Sequence, residues 1–252
     1  MKKFINTYWE HILLFTVIGL VGGFFTGLYS YESLPSDLLG QLTAEGITRP
    51  IMGLITAIQS AGYGLILGSI GIVLSNKIGL WQDEIKPKKK AIIAAIIVSI
   101  IGGLSMILFD IFFFANYSQA IADSYLVKPT FSFIFASMTY GAVIEEVMLR
   151  LFFMSLIAFA LHKLFEKNEE KTSTTILVIA NVIAALLFAA SHLPATSQIM
   201  GLTPMIIFRC FLLNGGIGLL FGWLYRKHGI YYAMIAHGGC HLISKLIWIL
   251  FI

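Results

Sequence analysis

Charged residues are scarce in this sequence. They make up 12% of its 252 positions, whereas hydrophobic residues make up 58%. A typical soluble domain has about a quarter of its residues charged, so this composition excludes a soluble fold, which could not cover so much apolar surface. Because a backbone in lipid must satisfy its polar groups within its own segment, the long uncharged runs predict membrane-spanning helices.

Cysteine is also rare. Cys210 and Cys240 are the only two, and both lie within apolar runs, which excludes a disulfide scaffold and indicates small packing residues. The net charge of +4 comes from basic residues in short loops between the apolar runs. We therefore expect the lipid bilayer as the surroundings of this chain and no nucleic-acid partner.

Seven apolar runs are long enough for helices that cross the hydrocarbon core. They are residues 11–30, 50–75, 91–115, 131–161, 174–195, 203–225 and 230–250. No small-residue cleavage site follows the first run, so we expect a retained span there and not a signal peptide. The predicted fold class is all-α: a polytopic transmembrane helical bundle of about seven spans, with residues 1–252 in a single membrane domain.

The basic residues predict how the bundle is oriented. Alternating the loops across the membrane places twelve Lys and Arg residues in loops on the side of the N-terminus, and only Arg49 and Lys128 on the other side. Cytoplasmic loops carry the excess of basic residues in membrane proteins. We therefore expect a multi-pass protein of the cell membrane with a cytoplasmic N-terminus.

Three ionisable residues lie close together inside the fourth run: Glu145, Glu146 and Arg150. Each costs at least about 2.5 kcal/mol within a span and needs a partner or a function. Glu146 and Arg150 are four residues apart on one helix face and can pair. Glu145 points about 100° away and has no local partner, which is typical of a working group near water or a metal.

Three histidines lie on later spans. His192 ends the fifth run, while His237 and His241 are four residues apart on one face of the last run. Two imidazoles at this spacing are the geometry that binds zinc. The Glu of the soluble zinc-protease motif is absent, because Gly238 stands in its place.

The remaining intramembrane polar residues suggest structural roles. Asp110 lies near the end of its span, Lys245 is expected to reach outward to the membrane surface, and Arg209 could be a second counter-ion for the glutamates. The small residues of Gly23-xxx-Gly27 and Gly218-xxx-Gly222 predict close helix contacts.

Together, Glu145-Glu146-x-x-x-Arg150, Phe188-x-x-x-His192 and His237-x-x-x-His241 resemble the CPBP family, which contains the CAAX prenyl endopeptidases and the bacterial Abi bacteriocin-processing and immunity proteins. The resemblance covers roughly residues 130–250 and implies a catalytic core in residues 131–252, preceded by N-terminal spans in residues 1–130.

The resemblance also implies a role for each motif residue. Glu145 would be the general base on a water, and His192 would help to hold or deprotonate that water. His237 and the residue at 241 would bind the oxyanion or a metal, and Glu146 and Arg150 would support the helix. The family's last motif usually ends in Asn; the His241 found here can donate a hydrogen bond but can also bind zinc.

The resulting hypothesis is an intramembrane endopeptidase, with or without zinc on Glu145, His192, His237 and His241. Its substrate would be a short or membrane-associated precursor, such as a leader peptide or a CAAX-like sequence, cleaved at or near the cytoplasmic side. The alternatives are a non-catalytic immunity or scaffold protein that binds a membrane-protein partner, and a proton-coupled transporter.

One expectation concerns depth in the membrane. His192 lies at the far end of its run, whereas His237 lies about 10 Å from the near end of its own. The two can meet only if the fifth helix tilts or projects beyond the membrane; otherwise His192 is not catalytic.

Overall fold

The computed structural model describes residues 2–82 and 87–252, so Lys86 of the basic loop lies outside the described residues. The chain is 85% helical and has no strand within these ranges. Its helices are α1 (Lys2–Glu32), α2 (Ser36–Ala44), α3 (Arg49–Lys77), α4 (Lys89–Phe112), α5 (Gln119–Ser124), α6 (residues 131–165), α7 (Thr174–Ser191), α8 (Leu193–Met200), α9 (Pro204–His228) and α10 (Ile230–Phe251).

Among the described residues, six helical segments are long and apolar enough to cross a membrane. They are Asn6–Glu32, Arg49–Lys77, Lys89–Asn116, Thr174–Met200, Pro204–His228 and Ile230–Phe251. The helix α6 is longer than each of them and carries the charged trio of the fourth run. The helical bundle agrees with the predicted fold of about seven spans, while the short helices α2 and α5 in the loops were not predicted.

Local sequence signals set several helix ends. The side-chain oxygens of Ser173 and Thr203 accept hydrogen bonds from the backbone N–H groups of Ile176 and Ile206, which caps the first turns of α7 and α9. Gly229 has φ of 99°, a conformation that other residues rarely adopt. It ends α9 and lets α10 begin one residue later.

The outward faces of the bundle are apolar. On α4, Ile93, Ile97 and Ile100 are each about half exposed, at 46%, 51% and 45%. Exposed surfaces of this kind suit lipid and not water, which is consistent with the low charge of the chain.

The helix α6 lies at the centre of the bundle. Its first half packs against α1 and α10, and its second half packs against α3, α7 and α9. The pair α1 and α3 is in close contact at Gly27, where an added Cβ would meet the carbonyl of Met52. The predicted close approach at the first glycine pair is therefore confirmed.

Much of α6 is π-helical. The segments Ser137–Glu145 and Val147–Met154 have i→i+5 bonding, and Phe211–Gly215 of α9 and Tyr63–Leu67 of α3 have the same form. The widened turns of a π-helix are rare and occur often at functional sites. The charged trio predicted on a regular α-helix thus lies within and between two π-helical segments.

Candidate active site

Glu146 and Arg150 form the buried ion pair that their spacing predicted. The Nη1 atom of Arg150 donates to Oε1 of Glu146 over 2.9 Å, and both side chains are at most 1% exposed. The Nη2 atom donates to the carbonyl oxygen of Gly218 on α9 over 3.0 Å. The guanidinium also lies 4.4 Å from the ring centre of Phe188 and 5.4 Å from that of Phe221, so the cation is held by aromatic faces as well.

His237 connects this ion pair to Glu145. Its Nδ1 donates to Oε1 of Glu146 over 2.9 Å, and its Nε2 lies 3.9 Å from Oε2 of Glu145. The ring stacks on Phe221 with 4.5 Å between ring centres. Because Phe221 covers one face of the ring and Glu146 holds one nitrogen, the second nitrogen is directed at Glu145.

Glu145 differs from Glu146 in its surroundings. Its side chain is 21% exposed, whereas that of Glu146 is fully buried. The 3.9 Å separation from His237 is too long for a direct hydrogen bond and is short enough for one water to contact both groups. Glu145 is therefore not committed to the Arg150 pair, as its position in the sequence predicted.

A cavity of about 380 Å³ brings the four predicted catalytic residues together. Its lining includes Glu145, His192, His237 and His241. The rest of the wall is mostly apolar and comes from α1, α4 and α6 to α10, for example Met106, Phe133, Ile199, Ile217 and Phe221.

His192 reaches the cavity because α6 and α7 form a long hairpin. Glu145 lies 20 residues before the end of α6, and His192 lies 18 residues after the start of α7, which are similar lengths of about 30 and 27 Å. The Nδ1 atom of His192 donates to the carbonyl oxygen of Phe188 over 2.8 Å. Glu145 and His192 therefore lie at similar distances from the connection between α6 and α7, which lets both line the cavity.

Lys245 lies in the same cavity, which corrects the expectation that it reaches outward. It is 5% exposed, its Nζ is 3.3 Å from Nδ1 of His241, and it lies 4.3 Å from the ring centre of Phe133. The sequence contained a sign of this inward position, because His237, His241 and Lys245 follow one another at intervals of four residues on α10.

Arg209 is not a counter-ion of the glutamates. It donates from Nε and Nη2 to the two oxygens of Asp110 over 2.6 and 2.5 Å, and Asp110 also accepts from the hydroxyl of Tyr125. Burial and the negative charge of Asp110 raise the pKa of Tyr125. This separate cluster joins α4 to α9 and supports the prediction that Asp110 has a structural role.

The two cysteines are buried and free. Cys210 donates from Sγ to the carbonyl oxygen of Ala189 over 3.2 Å, and Cys240 contacts Gly102 of α4 across the helix interface. Both are about 1% exposed, so the prediction of packing residues is confirmed.

The site residues do not fit a zinc ion as they are placed. Within residues 2–82 and 87–252, no group of three or more His, Cys, Asp or Glu side chains is arranged to hold a metal. The Nδ1 of His237 is bonded to Glu146, and the Nδ1 of His241 faces the amino group of Lys245. A cation at that position would repel a metal ion.

The cavity opens toward one end of the bundle. Its exposed lining residues are Ser30, Ala195 and Ile199, near the end of α1 and on α8. Lys128 marks the same end, because its Nζ donates to the carbonyl oxygen of Ile249 near the end of α10. The basic residues Lys77, Lys89 and Lys163, at or near helix ends, lie at the opposite end of the spans.

The fold and the site define the class: a multi-pass membrane protein with a buried network of Glu, Arg and His side chains facing an internal cavity. Residues 126–243 match the family model described as Rce1-like, type II CAAX prenyl endopeptidase. This match supports the CPBP/CAAX protease family for the segment that it covers. No curated protein and no solved structure matches the chain.

Proposed function

We propose that this protein is an intramembrane endopeptidase that hydrolyses a peptide bond with a water activated by Glu145. The observation that supports it is the pairing of a partly exposed carboxylate with a histidine nitrogen at 3.9 Å, at the wall of a cavity. The match of residues 126–243 to the Rce1-like family model supports a protease of this kind. No metal is needed in this proposal.

The water would lie between Glu145 and His237. Glu145 takes a proton from the water while the water oxygen attacks the carbonyl carbon of the peptide bond. The same proton then passes to the leaving amine as the C–N bond breaks. Positioned general bases contribute about 10²- to 10⁴-fold to such steps. Glu146 and Arg150 are the supporting pair, because they hold His237 without contacting the water.

His237 and His241 would bind the charge that develops on the carbonyl oxygen, and His192 would bind the water. The Nε2–H of His241 and, when its ring is charged, the Nε2–H of His237 are donors to the oxyanion, which typically is the largest single contribution to catalysis. His192 has Nδ1 bonded to a backbone carbonyl, so its Nε2 is free to accept a hydrogen bond from the water when the ring is neutral.

The substrate would be a short or membrane-associated precursor that enters from the bilayer. A largely apolar cavity of about 380 Å³ accepts a few residues of extended peptide. Leader peptides and CAAX-like sequences are the two classes to compare. We assign the cleavage machinery to residues 131–252 and assembly of the surrounding bundle to residues 1–130.

The orientation of the chain decides which side of the membrane the substrate comes from. With the N-terminus in the cytoplasm, the end of the bundle where the cavity opens is the outer end. Cleavage at the cytoplasmic side and a cytoplasmic N-terminus therefore exclude each other, and we retain the orientation because it rests on the distribution of basic residues.

The test is cleavage of a panel of leader and CAAX-like peptides by the purified protein in detergent. Wild type, Glu145→Gln and Glu166→Gln are compared, since Glu166 lies in a loop outside the cavity. We expect cleavage by wild type and Glu166→Gln only, and the zinc content of the same samples is measured.

Two results would contradict the proposal. If Glu145→Gln still cleaves the peptides, Glu145 is not the general base. If cleavage requires stoichiometric zinc, the mechanism is metal-dependent. A wild type that cleaves nothing but still binds a membrane-protein partner, with Glu145→Gln equally competent, would favour the scaffold alternative.

A further inference from the structure

The catalytic proposal uses His241 but not the contact that its ring makes with Lys245 at the cavity. They lie four residues apart on α10, with 3.3 Å between Nζ of Lys245 and Nδ1 of His241. Lys245 is 5% exposed. A cation so deep in a membrane protein is costly and is retained where it has a partner or a function.

The contact determines which nitrogen of His241 carries the proton. A lysine ammonium has three donors and no acceptor, so Nδ1 of the neighbouring ring must be the acceptor. In a neutral imidazole the proton is then on Nε2. A charged imidazolium is disfavoured here because its Nδ1–H would face the ammonium.

The protonated nitrogen is next to the cavity. The Nε2 of His241 lies 3.1 Å from the position that a Cβ on Gly141 would occupy, and Gly141 lines the cavity on α6. The absence of a side chain at residue 141 leaves this N–H room to contact a bound molecule. The ring also lies 4.8 Å from that of His237, beside the proposed site of hydrolysis.

We propose that Lys245 is a positioning residue that fixes His241 as the Nε2–H tautomer, so that a neutral ring donates a hydrogen bond to the substrate carbonyl oxygen. This inference rests on the proposed function. The two ring nitrogens then have separate tasks: Nδ1 accepts from Lys245, and Nε2 donates into the cavity.

Other groups near Lys245 are consistent with this role. Its ammonium lies over the ring of Phe133, a contact that stabilises a cation without supplying a proton acceptor. Arg150 is engaged with Glu146, whereas Lys245 is the cation that contacts His241.

The first test is a double-mutant cycle in the cleavage assay. Lys245→Met removes the donor and keeps much of the apolar stem, and we expect kcat to fall by about 10-fold or more, against about 10² to 10³ for loss of a whole oxyanion donor. His241→Asn replaces the ring with an amide, which donates without a tautomer choice. In that background the Lys245→Met loss should shrink to less than about 3-fold.

Equal losses in the two backgrounds would overturn the inference, because a merely structural role of Lys245 does not depend on the residue at 241. The cycle also separates the two proposals. Failure of the proposed function appears as cleavage that survives in Glu145→Gln, whereas failure of this inference leaves cleavage dependent on Glu145.

The second test needs no substrate. Nitrogen NMR of ¹⁵N-histidine-labelled protein in lipid bilayers distinguishes protonated from unprotonated ring nitrogens, and the His241 signals are identified by their loss in His241→Asn. We expect an unprotonated Nδ1 and a protonated Nε2 in wild type and a mixture of tautomers in Lys245→Met. A protonated Nδ1 in wild type would overturn the inference.

Discussion

His237 and Glu146 lie on different helices, and Nδ1 of His237 donates to Oε1 of Glu146 over 2.9 Å. The same carboxylate oxygen accepts from Arg150, also over 2.9 Å. Oε2 of Glu146 has no hydrogen-bond partner within the part of the chain that the structure describes. One oxygen therefore orients the histidine and neutralises the arginine, which makes Glu146 a structural anchor and leaves Glu145 available for chemistry.

The two neighbouring glutamates should respond differently to the same substitution. Glu146→Gln leaves the buried Arg150 without a counter-charge, and we expect a loss of about 3–5 kcal/mol in the free energy of unfolding. Glu145→Gln removes no ion pair with Arg150 and should change stability by less than about 1 kcal/mol. Denaturant unfolding in detergent measures both, and equal losses would contradict the division of roles.

Gly218 should be required for the position of Arg150. A Cβ at residue 218 would lie 2.7 Å from Nη2 of Arg150 and 3.2 Å from Cδ1 of Phe188, so Gly218→Ala must displace the guanidinium. We expect a cost of about 1–3 kcal/mol and at least a 10-fold loss of cleavage, on the order of 1.4 kcal/mol in the barrier.

The matched control for this substitution is Gly216→Ala, two residues earlier on α9. An added Cβ at residue 216 meets nothing within 4 Å, and alanine favours a helix by about 1 kcal/mol over glycine. This variant should keep its activity and be at least as stable as wild type. Equal damage in both variants would indicate a general effect on α9 and not the contact with Arg150.

The mouth of the cavity should be accessible from outside the cell. Ile199→Cys places a thiol at a lining residue that is 49% exposed, and a membrane-impermeant maleimide added to intact cells should label it. Lys167→Cys, in the loop after α6, should be labelled only after the cells are opened. The native Cys210 and Cys240 are about 1% exposed and give no background. The reverse pattern would place the N-terminus outside.

The loop between α6 and α7 should loosen at low pH. The backbone N–H of Ser173 donates to Glu166 over 2.9 Å, and hydrogen bonds from Ser173 and then His162 lower the pKa of Glu166 from 4.5. A lowered pKa in the folded state stabilises the loop above pH 4.5, and this contribution is lost as the pH falls through the folded pKa. The protection factors of the loop amides against hydrogen exchange, compared between pH 6 and 3, measure this contribution. Glu166→Gln should abolish the pH dependence of these protection factors.

Local features of the chain were predictable because they depend on neighbours in sequence. The spans follow from uninterrupted apolar runs, and the Glu146–Arg150 pair follows from a spacing of four residues. The choice of Glu145 as the uncommitted carboxylate follows from the same spacing. Each of these was read from a single helix without knowing what packs on it.

Contacts between helices could not be predicted in the same way. The bond between His237 and Glu146 joins residues 91 positions apart, and the inward direction of Lys245 depends on Phe133 of α6. The π-helical turns of α6 also have no clear signal in the sequence, because a wide turn is stabilised by the packing around it.

The partners of α6 have a consequence for how the protein is made. Arg150 needs the carbonyl of Gly218, 68 residues later, and Glu146 needs His237, 91 residues later. At about 5–20 residues per second of synthesis, the charged helix leaves the ribosome roughly 5–20 seconds before its last partner exists. During that interval α6 must be sheltered from lipid by the insertion machinery, so the final helix determines when the whole bundle can be released into the membrane.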